Sequence, residues 1–141
     1  MPGRPAARFC ENFPRLGESC RRRLTVENDD AEGQYSVRML RSLIHERLGV
    51  PIVADTLHHA CFPDGQTWPE ALAMAASTWS VRPMCHHSSS RKAHEDPASR
   101  AEAHADFLYE AFDPCGLGVD VELECKQKDL AAVRYLSEFA D

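Results

Sequence analysis

The sequence lacks a long apolar run and contains few aromatic side chains. Aromatic residues make up 8% of its 141 residues. The longest apolar runs fall far short of the roughly 18 residues needed to cross a bilayer, so we expect no membrane span. Residues 1–8 also lack the apolar stretch of a secretory signal. We therefore expect an intracellular, cytoplasmic protein rather than a secreted one.

Paired cysteines and an excess of basic residues are also missing. None of the six cysteines forms a C-x-x-C pair, which argues against zinc-knuckle and thioredoxin-like motifs. With 16 basic and 22 acidic residues the net charge is −6, and this argues against non-specific binding of nucleic acid through a basic surface. The charge is compatible with a DNA enzyme whose acidic residues hold metal ions.

What the sequence does contain is a regular alternation of strand and helix patterns. Short apolar runs predict four strands, over residues 23–27, 51–55, 81–86 and 119–124. Helices are expected after the N-cap residues Ser36 and Thr67, as a turn over residues 103–112, and at the C-terminal end. Residues 87–103 predict a long polar loop.

This alternation predicts an α/β fold with a parallel sheet. A doubly wound sheet and part of a TIM (β/α) barrel both fit the pattern. A complete eight-stranded barrel does not, because it needs about 250 residues. The chain is long enough for one domain, which we place over residues 1–141.

Potential metal ligands end all four predicted strands. They are Glu27, Asp55, His86 and Glu124. Active sites of parallel α/β proteins lie at the carboxyl ends of the strands, so the four side chains are expected to converge. His58 follows Asp55 by three residues, and His104 lies beyond the polar loop. Carboxylates mixed with imidazoles suit Mn²⁺, Zn²⁺ or Fe²⁺.

Each of these residues also has an ordinary structural interpretation. A carboxylate at a strand end often caps the next helix, and a single histidine is more often a packed or surface residue than a ligand. The joint arrangement at four strand ends is what favours a metal centre. We expect His45 to be solvated, and His87 and His94 to lie in the polar loop.

Several segments resemble one known family, the UV damage endonucleases of the UvdE/UvsE type. The resemblance covers nearly the whole chain, in order and with similar spacing, and its most specific parts are residues 23–30 and 51–59. The remaining matching segments are residues 8–16, 78–83, 86–89, 104–106 and 119–126.

The resemblance implies a fold, an activity and a ligand set. Members of the family are TIM barrels that nick DNA on the 5′ side of UV photoproducts with divalent metals, usually manganese. The implied reaction is metal-assisted phosphodiester hydrolysis, on duplex DNA recognised by its distortion. By the same resemblance, six residues fall on metal-ligand positions: Glu27, Asp55, His58, His86, His104 and Glu124.

Two departures from the family pattern leave alternatives open. The chain resembles only the C-terminal half of the family's length, so an N-terminal half-barrel chain or a second copy could be required as a partner. The family also has a lysine where this chain has Met84. Besides a truncated or split endonuclease, the sequence therefore allows a non-catalytic half barrel that completes a partner chain, or a sugar-isomerase-like barrel.

Overall fold

Four parallel strands form the centre of the structure, a computed structural model that describes residues 3–139. They lie in the order β1 (Val26–Glu27), β2 (Ile52–Asp55), β3 (Met84–His87) and β4 (Asp120–Leu123), and each neighbouring pair is parallel. The predicted α/β class with four parallel strands is thereby confirmed. The predicted domain of residues 1–141 has two residues at each end outside the described residues.

Helices connect the strands. The helix expected after Ser36 comprises α3 (Val37–Leu40), a π-helical turn (Arg41–His45) and α4 (Glu46–Leu48). The remaining helical elements are α1 (Gly3–Asn12), a 3₁₀ turn (Phe13–Arg15), α2 (Glu18–Arg21), α5 (Thr56–Cys61), α6 (Trp68–Ala76), α7 (Arg91–His94) and α8 (Lys128–Phe139).

The capping signals read from the sequence place two of these helices correctly. The Ser36 hydroxyl accepts a hydrogen bond from the Met39 amide at 3.1 Å, and Gly49 ends the helix in the left-handed region, with φ of 68°. At the start of α6 the Glu70 carboxylate accepts from the Thr67 amide at 2.8 Å. Both helices therefore begin where their N-cap residues predict.

Two predictions about the segment after β3 are wrong. The predicted loop over residues 87–103 begins inside β3 and contains α7, whose N-cap Ser90 accepts from the Ala93 amide. The helical turn predicted over residues 103–112 is absent from the described structure. Its amides donate elsewhere, because Glu95 accepts from the amide of Asp106 and Ser89 accepts from that of Tyr109.

The two faces of the sheet differ in chemistry. One face packs against helices, and Ile52, Ala54 and Cys85 are buried there with side chains such as Ile44 and Leu72. Side chains alternate between faces along a strand, so the other face presents Glu27, Asp55 and His86. The apolar core therefore lies between sheet and helices, and the charged residues lie on the opposite side.

We expect Leu72→Ala to lower the free energy of unfolding by about 2–5 kcal/mol, because it empties a fully buried site. Leu72 is 1% exposed. The matched control is Leu130→Ala on α8, where Leu130 is 61% exposed and the change should stay within about 0.5 kcal/mol. Urea unfolding measures both, and equal effects would contradict this assignment of the core.

Candidate metal centre

One side chain from the end of each strand reaches the same edge of the sheet. Glu27, Asp55, His86 and Glu124 each bring one potential ligand atom to within 4.8 Å of the others. The strand register explains this convergence, because Asp55 is paired with His86 and in-register residues of parallel strands share a face. Three carboxylates and an imidazole at this spacing could bind a metal ion.

Asp55 is fully buried, and its carboxylate is held by short bonds. Its Oδ1 accepts from the His58 amide at 2.7 Å, which makes Asp55 the N-cap of α5. The Ser88 hydroxyl donates to its Oδ2 at 3.1 Å. The Asp55 amide in turn donates to the side chain of Asn28 at 2.8 Å. The Asp55 side chain therefore caps α5, as predicted, and is also part of the candidate metal site.

Glu27 and His86 contain buried polar atoms that lack hydrogen-bond partners. These atoms are Glu27 Oε1 and His86 Nδ1, which lie 3.3 Å apart. Glu124 Oε1 lies 3.3 Å from the same His86 nitrogen. Buried polar atoms are nearly always satisfied, so this pair is a site where a cation would satisfy both. The residues present therefore fit a divalent metal.

His58 and His104 lie beside the four-residue cluster. His58 Nδ1 is 2.9 Å from the carbonyl oxygen of Asn28 and 3.1 Å from Glu27 Oε1. His104 Nδ1 is 3.8 Å from Glu124 Oε2, and the two imidazole rings are 5.7 Å apart. The structure thus brings all six predicted residues into one group, with four of them in the tight cluster.

Charge pairing in this group shifts three pKa values. Burial alone would raise the pKa of Glu27, but the adjacent imidazoles outweigh it and lower the pKa to about 2. Burial would lower the pKa of His58, but Glu27 and Asp55 raise it to about 9. The pKa of His86 is raised against burial by Glu27, Glu124 and Glu122. Without a metal, the imidazoles therefore act as the counterions of the carboxylates.

Three residues that the sequence analysis did not select support this site. Asn28 and Ser88 are buried and contact Asp55. Glu122 Oε2 lies 3.6 Å from His86 Nε2. Two-residue spacing from Glu124 along a strand places Glu122 on the same face, a signal that was present in the sequence. Nothing in the local sequence pattern marks Asn28 or Ser88 as site residues.

Three other histidines have structural partners outside the cluster. His87 was expected in a loop but is a buried residue of β3, because its ring lies between Thr56 and the carbonyl oxygen of Glu110. His94 pairs with the Glu110 carboxylate. His45 was expected to be solvated, but its Nδ1 is 3.0 Å from the carbonyl oxygen of Val50.

A parallel sheet flanked by helices, with carboxylates and imidazoles meeting at the strand ends, defines part of a TIM-barrel protein with a candidate metal centre. Residues 3–141 match the sequence profile of UV-endonuclease UvdE, and the chain belongs to this family. In the part of the chain that the structure describes, no helix has the length and apolar character of a membrane span.

Individual relatives agree with this assignment. The UV DNA damage endonuclease of Bacillus pumilus is 33% identical over 94% of this chain, which spans 43% of that protein. The UV-damage endonuclease of Schizosaccharomyces pombe is 32% identical over 88% of the chain and 21% of its own length. The crystal structure of SacUVDE superposes with a TM-score of 0.75 at 30% identity, over 94% of this chain and 46% of that one. The chain thus spans less than half the length of these relatives, and its open sheet corresponds to part of a barrel.

We expect the metal-free chain to lose stability at both ends of the pH range. The pKa of His58 rises from 6.5 to about 9 on folding, so its contribution is complete below pH 6.5 and is lost as the pH rises through 9. The pKa of Glu27 falls from 4.5 to about 2, so its contribution is present above pH 4.5 and is lost as the pH falls through 2. Urea unfolding in EDTA measures both losses.

The control for the alkaline loss is His58→Gln, which keeps a polar side chain but removes the titration. Its unfolding free energy should fall less between pH 6.5 and 9 than that of the unchanged chain. An equally steep fall would assign the loss to another group.

Proposed function

We propose that this chain is the catalytic half of a metal-dependent DNA endonuclease of UV damage repair, which nicks the phosphodiester 5′ to photolesions. The observation that carries the proposal is that two buried atoms of the four-residue cluster, Glu27 Oε1 and His86 Nδ1, lack hydrogen-bond partners. Membership of the UvdE family and the names of the relatives support the substrate, UV-damaged duplex DNA.

Glu27, Asp55, His86 and Glu124 are the proposed catalytic residues, and with His58 and His104 they form the proposed ligand set. Manganese is the expected ion, and zinc or iron also suits these donors. A divalent cation bound here would lower the pKa of water and neutralise charge on the phosphate. The carbonyl of Asn28 faces His58 Nδ1, which leaves Nε2 of His58 available as a ligand atom.

The protein's own residues would orient this chemistry. Ser88 and the first turn of α5 hold the Asp55 carboxylate in one orientation. Glu27 and Glu124 leave the site electronegative, and the whole chain has a net charge of −6. A phosphodiester would therefore be repelled until cations are bound, so binding of metal and of DNA should be coupled. We place this activity in the cytoplasm.

The open sheet supports the further proposal that a second half barrel completes the site. A groove of about 450 Å³ runs beside β4 and α8, and apolar side chains form much of its lining. On α8, Leu130, Val133 and Leu136 are exposed and recur every three residues, so they form one apolar stripe. The proposed occupant is an N-terminal half-barrel chain, and a second copy of this chain is the alternative.

The same surface supports the second candidate function. If the chain has no activity of its own, it would act as a non-catalytic half barrel that completes a partner chain. The two candidates differ in whether the cluster around Glu27 takes part in cleavage, so substitution at Glu27 separates them.

The first experiment compares nicking of UV-irradiated and unirradiated supercoiled plasmid with Mn²⁺, by this chain alone and mixed with the N-terminal half of a relative. We expect nicking of irradiated plasmid only, and a rate reduced at least about 100-fold in Glu27→Gln, because a group that organises charge in the transition state is lost. The control Glu138→Gln changes a carboxylate that pairs with Arg134 on α8. Full activity of the Glu27→Gln mixture would favour the non-catalytic candidate.

Strand polarity is tested on an end-labelled duplex with one thymine dimer. The endonuclease proposal expects a single cut on the 5′ side of the dimer. A cut on the 3′ side would contradict it.

Association with the second half is tested by Leu136→Asp. Fully burying a leucine is worth about 1.5–3 kcal/mol, so the charged variant should bind the N-terminal half at least about tenfold more weakly. Light scattering after size exclusion measures complex formation, with Glu138→Gln on the same helix as the control. Unchanged binding would place the interface elsewhere.

A further inference from the structure

Glu122 and His86 face each other across neighbouring strands. They are in-register partners of β4 and β3, so their side chains lie on the same face of the sheet. Glu122 Oε2 is 3.6 Å from His86 Nε2. The carboxylate is thus on the side of the imidazole that the four-residue cluster does not use.

The two nitrogens of His86 have different surroundings. Nδ1 faces Glu27 and Glu124, each at 3.3 Å, and is a buried atom without a hydrogen-bond partner. Nε2 faces Glu122. A neutral imidazole has one N–H and one lone pair, and only the nitrogen with the lone pair can bind a metal. Without a metal, the carboxylates around Nδ1 favour an N–H on that nitrogen. A metal ion bound beside Glu27 and Glu124 would take the lone pair of Nδ1 and leave the N–H on Nε2, which faces Glu122.

We infer that Glu122 is a positioning residue for the metal centre, whose carboxylate accepts the Nε2–H of His86 and so keeps Nδ1 as the ligand atom. The inference rests on the proposed metal centre. Histidine ligands usually donate their second N–H to a carboxylate or carbonyl, which fixes the ring and its tautomer. Glu122 gives His86 the partner that the Asn28 carbonyl gives His58.

The distance between Glu122 Oε2 and His86 Nε2 is compatible with a hydrogen bond that forms when Nε2 donates its N–H. A distance of 3.6 Å exceeds that of a hydrogen bond, but the Glu122 side chain is 59% exposed and free to change rotamer. A hydrogen bond of about 2.9 Å would require the oxygen to move closer by about 0.7 Å. The carboxylate reaches the ring from the open side of the sheet, so it does not displace Glu27 or Glu124.

The experiment measures Mn²⁺ binding to the full chain by calorimetry, for the unchanged protein and for Glu122→Leu, Glu122→Gln and Asp120→Asn. Glu122→Leu should weaken binding about 10–100-fold with unchanged stoichiometry. Glu122→Gln should lose less than about tenfold, because its amide oxygen still accepts the N–H. Asp120 lies on the same strand as Glu122, and its carboxylate pairs with Arg82. The control Asp120→Asn should therefore bind Mn²⁺ like the unchanged protein.

A second readout reports the tautomer directly. With Zn²⁺ bound, nitrogen-15 NMR of His86 should show Nδ1 as the metal-bound nitrogen and Nε2 as the N–H in the unchanged chain. In Glu122→Leu it should show a mixture of Nδ1-bound and Nε2-bound forms. This comparison needs neither DNA nor activity.

The outcomes separate the inference from the proposed function. Unaltered Mn²⁺ affinity and unaltered tautomer in Glu122→Leu would overturn the positioning role. A lower metal stoichiometry would also overturn it, because Glu122 would then be a ligand itself. Failure of the unchanged chain to bind Mn²⁺ or Zn²⁺ would contradict the proposed metal centre itself. Normal binding by the unchanged chain together with an unaltered Glu122→Leu would overturn only the positioning role.

Discussion

Repulsion among the carboxylates of Glu27, Asp55 and Glu124 is the constraint to which the rest of the site responds. The negative charge of each carboxylate is stabilised by neighbouring groups. Asp55 is held by the first turn of α5 and the Ser88 hydroxyl, and Glu27 and Glu124 share His86. The imidazoles serve as counterions, yet two buried atoms still lack hydrogen-bond partners. A divalent cation would supply the positive charge that the side chains provide only in part.

The same sheet that creates this repulsion also has an open edge. Its helix-covered face is a finished core, with residues such as Ile52 and Leu72 fully buried. Its other face bears the charged cluster, and the edge at β4 adjoins an apolar groove. A stable core and an open edge in one chain are consistent with a span of less than half of the relatives' length.

Much of the fold and the cluster was predictable because both depend on local patterns. Apolar runs predict the four strands, and the carboxyl ends of parallel strands lie at one edge of a sheet, so the sequence alone places Glu27 and His86 together. Predictions failed where distant partners decide the structure. Residues 103–112 donate their amides to Glu95 and Ser89 rather than to a helix, and His87 joins β3 because its ring is held between Thr56 and Glu110. Contacts between residues that are distant in sequence cannot be predicted from the spacing of apolar residues.

One feature of Asp55 determines how genetic data on this site can be interpreted. Its Oδ1 caps the helix that carries His58, so any substitution there removes a charge and also loosens the backbone under a second candidate ligand. A loss of function at Asp55 therefore cannot be divided into chemical and architectural parts. Glu27 caps no helix in the described structure, and its neighbours are the imidazoles of His58 and His86. A substitution there removes charge pairing but leaves the start of α5 intact, so its phenotype is easier to assign to the charge that is lost.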